Sequence, residues 1–516
     1  MVRPVWFLVV LAACGARPSP PSGELTTGSW WELRSPRFVL RTDLDRKEAA
    51  ARLDELESDY RALTEVYELL LEGFAAPRHV TQVVVFASCD GFDSIWPGHR
   101  GLVGQSAVDG ERMVVLCAYD RSTTPILLHE LAHVFNSVFG PIPVWLEEGL
   151  AEYLQTLYVD DGKVWVGAVP HSRGTGLPSL SRLLSASYAQ FHGSADEARS
   201  YIASRNLVGV FLGRSEADQR RFVRYLHLLN AGANRSAAWS QTMAGLPMDK
   251  LEDDMLRYDT RPGVMLWWLA HTRAADLGSP TVERVRPGEV QALVILTQLF
   301  AVNRPPVRSL DDRVTAGERD DPSWPDGDFW RALIEASGAQ PDSERVVTLL
   351  RAHLARNPSD ERALDLLVRT RQVMVDGKSQ TDDAWAEDTA SRARLGTLEP
   401  DVLALGRVAR SWRALNDIAW YFALRHQPEV GLGFARRSLD AEPVCADCKD
   451  TLALLLAEAG RLDEAVAAQE EAVQTMGERG LPKAMLERLA RFRTLRDRCR
   501  AEPGATGCPR EVRQTR

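Results

Sequence analysis

Leu127 to Gln155 reads LLHELAHVFNSVFGPIPVWLEEGLAEYLQ, and its spacing decides how the first half of the chain folds. Ile126, Leu127, Leu128, Leu131, Ala132 and Phe135 give it a helix with a broad apolar side. On that helix His129 and His133 are one turn apart, so both imidazoles leave the same face and converge. Glu130 lies between them. The turn Gly140-Pro141-Ile142-Pro143 stops the helix, because proline lacks an amide hydrogen and crowds the preceding turn, and the chain doubles back. A second helix is expected from about Val144 to Leu157.

Two neutral imidazoles leave a metal ion short of ligands, and the second helix offers three carboxylates. Glu148 and Glu152 share a face one turn apart, whereas Glu147 is rotated by about 100° and is expected to meet solvent. His129, His133 and Glu148 are therefore the expected ligands of Zn²⁺, with a fourth position left to water. Glu152 is expected to hold the second ring nitrogen of a ligand histidine and so fix its tautomer. Gly149 removes a side chain where two helices must approach closely. The bland alternative is two histidines on a buried helix with no metal.

The pair HELAH and WLEEG (Trp145–Gly149) resembles the gluzincins, HExxH zinc peptidases whose third ligand is a glutamate on the following helix. That resemblance covers roughly residues 30 to 260 and implies an α+β zincin-like catalytic domain. It puts Zn²⁺ on His129, His133 and Glu148, makes Glu130 the general base, and makes Glu152 the acid beyond the ligands. More narrowly, the chain is similar to exported bacterial lipoproteins of peptidase MA type, in which such a domain precedes tetratricopeptide (TPR) repeats. In gluzincins the strand just before HExxH is an edge strand where a peptide backbone adds as a further strand. Gly101 to Ala107 (GLVGQSA) occupies that place. The Gly-x-Met-Glu-Asn sequence by which family aminopeptidases hold a free amine is missing, so an endopeptidase is expected. An oxyanion also needs a donor besides the metal. Tyr201, His171 and Tyr153 are candidates, although each is more ordinarily a packing or surface residue.

The 516 residues, 45% hydrophobic and 26% charged, suit a soluble protein of several domains. A net charge of −9 offers no basic footprint, so nucleic acid is not an expected partner. The chain begins MVRPVWFLVVLAACGARPS, with Arg3, an apolar run from Val5 to Leu11, and Cys14. That run is too short to span a bilayer and reads as residues 1–13 of an export signal. Leu11-Ala12-Ala13-Cys14 resembles a bacterial lipobox, which implies a lipid anchor on Cys14 and a place at the cell envelope, facing the periplasm or the exterior. An ordinary signal peptide with Cys14 unmodified is the alternative. Residues 14–28, rich in proline, serine and glycine, read as a flexible linker.

Six further cysteines in an oxidising compartment favour disulfides. Cys89 and Cys117 end neighbouring strands and suit one bridge; Cys445, Cys448, Cys499 and Cys508 suit two more, or else a structural tetrathiolate zinc site.

In the domain over 29–260, Trp31 to Thr42, Val80 to Ala87 and Arg112 to Cys117 read as strands, with Gly101 to Val108 a poorer one. Arg46 to Leu71 reads as a helix through Leu53, Leu56, Tyr60, Leu63 and Tyr67, and Pro178 to Tyr258 as further helices. The boundary is placed at Asp259 to Gly263, beyond which helices are expected to dominate. Trp267 and Trp268 read as buried core, and His79, His99, His192, His227, His271, His353 and His426 as ordinary residues without paired spacing.

Residues 261–400 form a helical connecting region in which Val346 to Pro358 suits half of a degenerate repeat. Over 401–500 a period of 34 residues sets Ala419 with Ala453, Phe422 with Leu456, Gly431 with Ala465 and Ser438 with Ala472, and Pro443 closes the first unit. That spacing is TPR-like, and small residues there let paired helices pack closely. Residues 501–516 form a cysteine-containing tail. The fold class expected is thus a zincin-like α+β domain followed by an all-α helical-repeat domain. Three functions compete: a lipid-anchored zinc endopeptidase acting on a peptide or protein substrate, a non-catalytic scaffold whose repeats bind a protein partner, and a zinc hydrolase of cell-wall peptide amides.

Overall fold

A computed structural model describes residues 6–9, 28–71, 74, 76–77, 80–87, 104–107, 113–117, 124–139, 142–167, 176–192, 196–213, 215–231, 233–258, 267–270, 280–300, 307–376, 389–476 and 483–502. The chain forms two compact units, Pro4–Arg304 and Pro305–Arg516.

The first unit is built on two sheets. Its strands are β1 (Trp6–Val9), β2 (Trp31–Arg34), β3 (Phe38–Thr42), β4 (Thr81–Phe86), β5 (Gly104–Ala107), β6 (Met113–Cys117), β7 (Tyr158–Asp160), β8 (Lys163–Val166), β9 (Trp267–Ala270) and β10 (Thr281–Arg284). Seven of them run in the order β1-β5-β6-β4-β3-β2-β10, and β7, β8 and β9 form the small second sheet. The central strands β3, β4 and β6 are parallel. Parallel strands in the middle of a sheet are covered on both faces, and Val83 to Phe86 are accordingly apolar without alternation and all buried.

Helix α1 (Arg46–Leu70) connects β3 to β4. It is started by Asp45, whose carboxylate accepts from the Lys47 and Glu48 amides. Leu53, Leu56, Tyr60, Leu63 and Tyr67 are buried along one side of it. The Tyr60 and Tyr67 rings lie 4.8 and 5.2 Å from that of Phe135, which fastens α1 to α2 (Thr124–Asn136). After a 3-10 turn over Ser137–Phe139 comes α3 (Val144–Leu154). Helices α4 (Leu180–Ser185), α5 (Tyr188–His192), α6 (Glu197–Gly213), α7 (Glu216–Asn230), α8 (Arg235–Met243), α9 (Met248–Leu256) and α10 (Pro287–Phe300) complete the unit.

The boundary expected at residue 260 is corrected. β9 pairs with β8 and β10 with β2, so residues beyond 260 close sheets begun far earlier, and the unit runs to Arg304. Trp267 and Trp268 stand on one of those strands. β1 falls inside the apolar run read as an export signal and pairs antiparallel with β5. Cys14, His171, Cys89 and Cys508 lie outside the described residues, and so does any Cys89–Cys117 pairing. Among the described residues no helix is long and apolar enough to cross a membrane.

The second unit is a helical repeat. Its helices are α11 (Val307–Asp320), α12 (Gly327–Ala336), α13 (Ser343–Arg356), α14 (Glu361–Asp376), α15 (Thr389–Gly396), α16 (Glu399–Val408), α17 (Trp412–Leu424), α18 (Pro428–Ala441), α19 (Ala446–Glu458), α20 (Leu462–Met476) and α21 (Lys483–Ala501). From α17 to α21 each packs on the next. The 34-residue period extends to the backbone. His426 (φ 53°) and Gly460 (φ 81°) take the same left-handed turn, and the amides of Gln427 and Arg461 bond the Phe422 and Leu456 carbonyls alike. At Gly431 a Cβ would lie 2.7 Å from Leu455 Cδ2, so this small position lets the paired helices approach closely. Cys445 and Cys448 are joined to each other, and Cys499 is also disulfide-bonded. The tetrathiolate alternative is thereby removed, because those sulfurs are spent in disulfides.

Candidate metal centre

The two ligand helices are set in place from outside the site. Asn136, the last residue of α2, accepts from the Tyr67 hydroxyl (2.6 Å) and donates through Nδ2 to the Glu147 carbonyl (3.1 Å). One amide therefore ties α1, α2 and α3 together. On its other side α3 meets α6 so closely that a Cβ on Gly149 would stand 2.7 Å from the Ser204 carbonyl oxygen. Glycine is required there by backbone, and the close approach belongs to α6.

This packing brings His129, His133 and Glu148 to one point. Nε2 of His129 and Nε2 of His133 are 3.1 Å apart, and Glu148 Oε2 lies 3.6 and 3.5 Å from them. A triangle with those edges has its centre about 2.0 Å from each corner, which matches zinc–nitrogen and zinc–oxygen bond lengths of about 2.0–2.2 Å. All three side chains are buried: His129 and Glu148 are 0% exposed and His133 1%. Among the described residues the nearest polar neighbours of Glu148 are the imidazoles of His129, His133 and His192, at 3.3–3.6 Å, and no group makes a closer hydrogen bond to either oxygen. Buried carboxylates are otherwise paired, so the donor set fits a cation.

Glu152 Oε1 lies 3.4 Å from His129 Nδ1, and its Oε2 accepts from Gln155 Nε2 at 2.6 Å. Glu130, one residue along from His129, is buried as well. Burial alone works to lower the His129 pKa, but Glu148 and Glu152 outweigh it and raise it to about 10. Burial likewise works to raise Glu148, and His133, His129 and His192 instead hold it well below the carboxylate range. The field at this point favours positive charge.

Glu147 was expected in solvent and is 5% exposed. The reason is that α3 is enclosed all round, every residue from Val144 to Leu154 being buried, so the outward-rotated position is interior too.

His192 is the residue the sequence reading passed over. It ends α5 with Nε2 3.3 Å from Glu148 Oε1, while Nδ1 lies 3.3 Å from Glu197 Oε1 and 3.2 Å from the Tyr201 hydroxyl. Its pKa is pulled down by burial and pushed up further by Glu148 and Glu197, to about 9. Tyr201 is thus in the site, its ring 6.3 Å from that of His129, and burial, then Glu148, holds its hydroxyl well above the usual tyrosine range. Tyr153 is buried on α3. No spacing rule marks His192, since it sits across a helix break from Glu197 and Tyr201; only the packing of α6 on α3 brings it in.

A second cluster, Asp326, His353 and Asp360, lies in the helical unit. There Arg362 Nη2 donates to Asp326 Oδ2 (3.1 Å) and Asp360 Oδ2 (2.9 Å), and His353 Nε2 faces Asp360 at 3.0 Å. The chain supplies the cation itself.

No protein-family profile matches the chain, and no curated protein matches it. Solved structures give overlays with helical-repeat proteins. One is a thermophilic TPR protein of Thermus thermophilus, 18% identical, covering 40% of this chain and 97% of that one with a TM-score of 0.29. Another is the TPR domain of P58(IPK), 11% identical, covering 60% of this chain and 85% of that one with a TM-score of 0.22. Both scores are low, and the repeat character of the second unit rests on its own helix pairing and shared turn.

Proposed function

We propose that the protein is a zinc-dependent endopeptidase of the bacterial cell envelope, anchored through Cys14, in which a zincin-like catalytic domain is joined to TPR-like repeats that hold a protein substrate or partner. The observation that carries this reading is the triangle of His129 Nε2, His133 Nε2 and Glu148 Oε2, its edges sized for one zinc ion and its acid bordered by imidazoles, with no arginine or lysine paired to it among the described residues. Zinc held there would polarise a scissile carbonyl and lower the pKa of a bound water to about 7.

The remaining work falls to the chain. Glu130 takes the water's proton on its carboxylate and hands it to the leaving amine. Glu152, at His129 Nδ1, keeps the Nε2 lone pair directed into the triangle. β5 is paired by the chain's own edge strand β1 over four antiparallel residues, the kind of backbone pairing a peptide substrate would use. A zinc hydrolase of cell-wall peptide amides would use the same residues on a different substrate.

A second reading is favoured by the second unit. Stacked helical hairpins are a common surface for protein partners and need no metal, so a non-catalytic scaffold accounts for residues 305–516 equally well. Metal analysis and digestion of a peptide library separate the two. About one zinc per chain is expected, with Glu130→Gln keeping the metal and losing hydrolysis. A wild-type protein refolded with zinc that holds none removes the enzyme readings; a Glu130→Gln variant that cleaves as well as wild type removes Glu130 as base.

A further inference from the structure

We infer that His192, backed by Glu197, is a positioning residue that holds Glu148 to metal coordination through a single oxygen. This rests on the zinc reading above. A carboxylate can bind a metal through one oxygen or both, and the outcome depends on what engages the second. Here the two oxygens of Glu148 have different neighbours. Oε2 faces His129 and His133 at 3.6 and 3.5 Å, whereas Oε1 faces His192 Nε2 at 3.3 Å. His192 addresses the oxygen that the other two histidines leave aside, so its place is behind the ligand.

The support behind His192 is built as well. Its Nδ1 lies against Glu197 Oε1, in the first turn of α6, and against the Tyr201 hydroxyl one turn on. α6 is registered against α3 at Gly149 and Ser204, so the helix that carries Glu148 also fixes the helix that carries Glu197 and Tyr201, the groups behind His192. The adjoining rings of Tyr188 (4.2 Å) and Phe191 (5.1 Å) further limit where the imidazole can go. A one-oxygen ligand leaves a coordination position open to water or a carbonyl; a two-oxygen ligand would fill it.

Cobalt substitution in the full-length protein tests this, because visible absorption of Co²⁺ weakens as four ligands become five. Zinc affinity is measured alongside by competition with a chelator. His192→Leu is expected to weaken the cobalt bands and to lower zinc affinity by about 10–100-fold, the range for losing an outer support of a ligand. His192→Gln, whose amide nitrogen still reaches Oε1, is expected to keep the wild-type spectrum. Wild type that binds metal beside a folded His192→Leu variant of unchanged spectrum and affinity overturns the inference and leaves the zinc reading standing. Wild type that binds no metal overturns both. Should His192→Leu fail to fold, Glu197→Gln carries the test: the same weakening, in lesser degree, supports the inference, and wild-type values overturn it.

Discussion

In the helical unit, buried and half-buried acids are met by arginines of the same chain. Arg488 and Gln469 bond Asp450, Arg351 and Arg371 bond Asp401, and Arg362 spans Asp326 and Asp360. In the first unit Glu148 and Glu152 are equally interior, yet the groups nearest to them are imidazoles and one amide. A guanidinium fixes charge within the fold permanently, whereas imidazole nitrogens offer lone pairs that a metal ion can take. Burial of acids is common to both units; the partner type separates a structural cluster from a candidate binding site.

The sharpest way to break that comparison is to remove one acid from each cluster. Glu148→Ala is expected to cut zinc affinity by more than about 100-fold, beyond the loss expected for outer supports. Asp360→Ala should leave zinc content unchanged and lower thermal stability. Metal analysis after dialysis reads both, and zinc lost on Asp360→Ala would erase the distinction.

Next in size are the two close approaches. Gly149→Ala drives a Cβ against the Ser204 backbone, which cannot rotate away, and should destabilise by about 1–3 kcal/mol. Gly431→Ala meets the tip of the Leu455 side chain, which can, so its loss in denaturant titration should be smaller. Equal losses would show that the α3–α6 contact is no tighter than a repeat contact.

One acid in the repeats has its arginine at a greater distance. Asp365 is held well above the usual aspartate range by burial and by the neighbouring Asp417, with Arg369 3.7 Å from each. Since folding raises this pKa, the stability from the protonated acid is complete below about pH 4 and is lost as pH rises through the folded value. Asp365→Asn should therefore raise the unfolding temperature at pH 8, by roughly 2–4 °C for each kcal/mol relieved, and change little at pH 4. A gain at both pH values would place the effect in packing instead. The smallest expected change is Gly460→Ala, about 1 kcal/mol, because that turn position is left-handed.

Much of the geometry was legible because it is periodic. The one-turn spacing of His129 and His133, the face shared by Glu148 and Glu152, and the 34-residue repeat follow from helix pitch and repeat length, and these depend on neighbours in sequence. The failures depend on neighbours in space. Glu147 was placed outside because a helix usually has a wet side, and α3 has none. His192 carried no spacing signal, since its partners Glu148 and Glu197 come from two other helices. β9 and β10 are four residues each and are strands by virtue of partners far back in the chain, so local pattern left them unmarked.

The Cys445–Cys448 link closes a ring of only four residues. Loop-closure entropy grows with ring size, so a ring this small restrains the unfolded chain by about 2 kcal/mol where a hundred-residue one would reach about 4.7. It works as a rivet at the start of α19, where Cys445 Sγ also accepts from the Cys448 amide. Opening that one link would loosen the first turn of α19 and leave the apolar seams and ion pairs of the stack as they are.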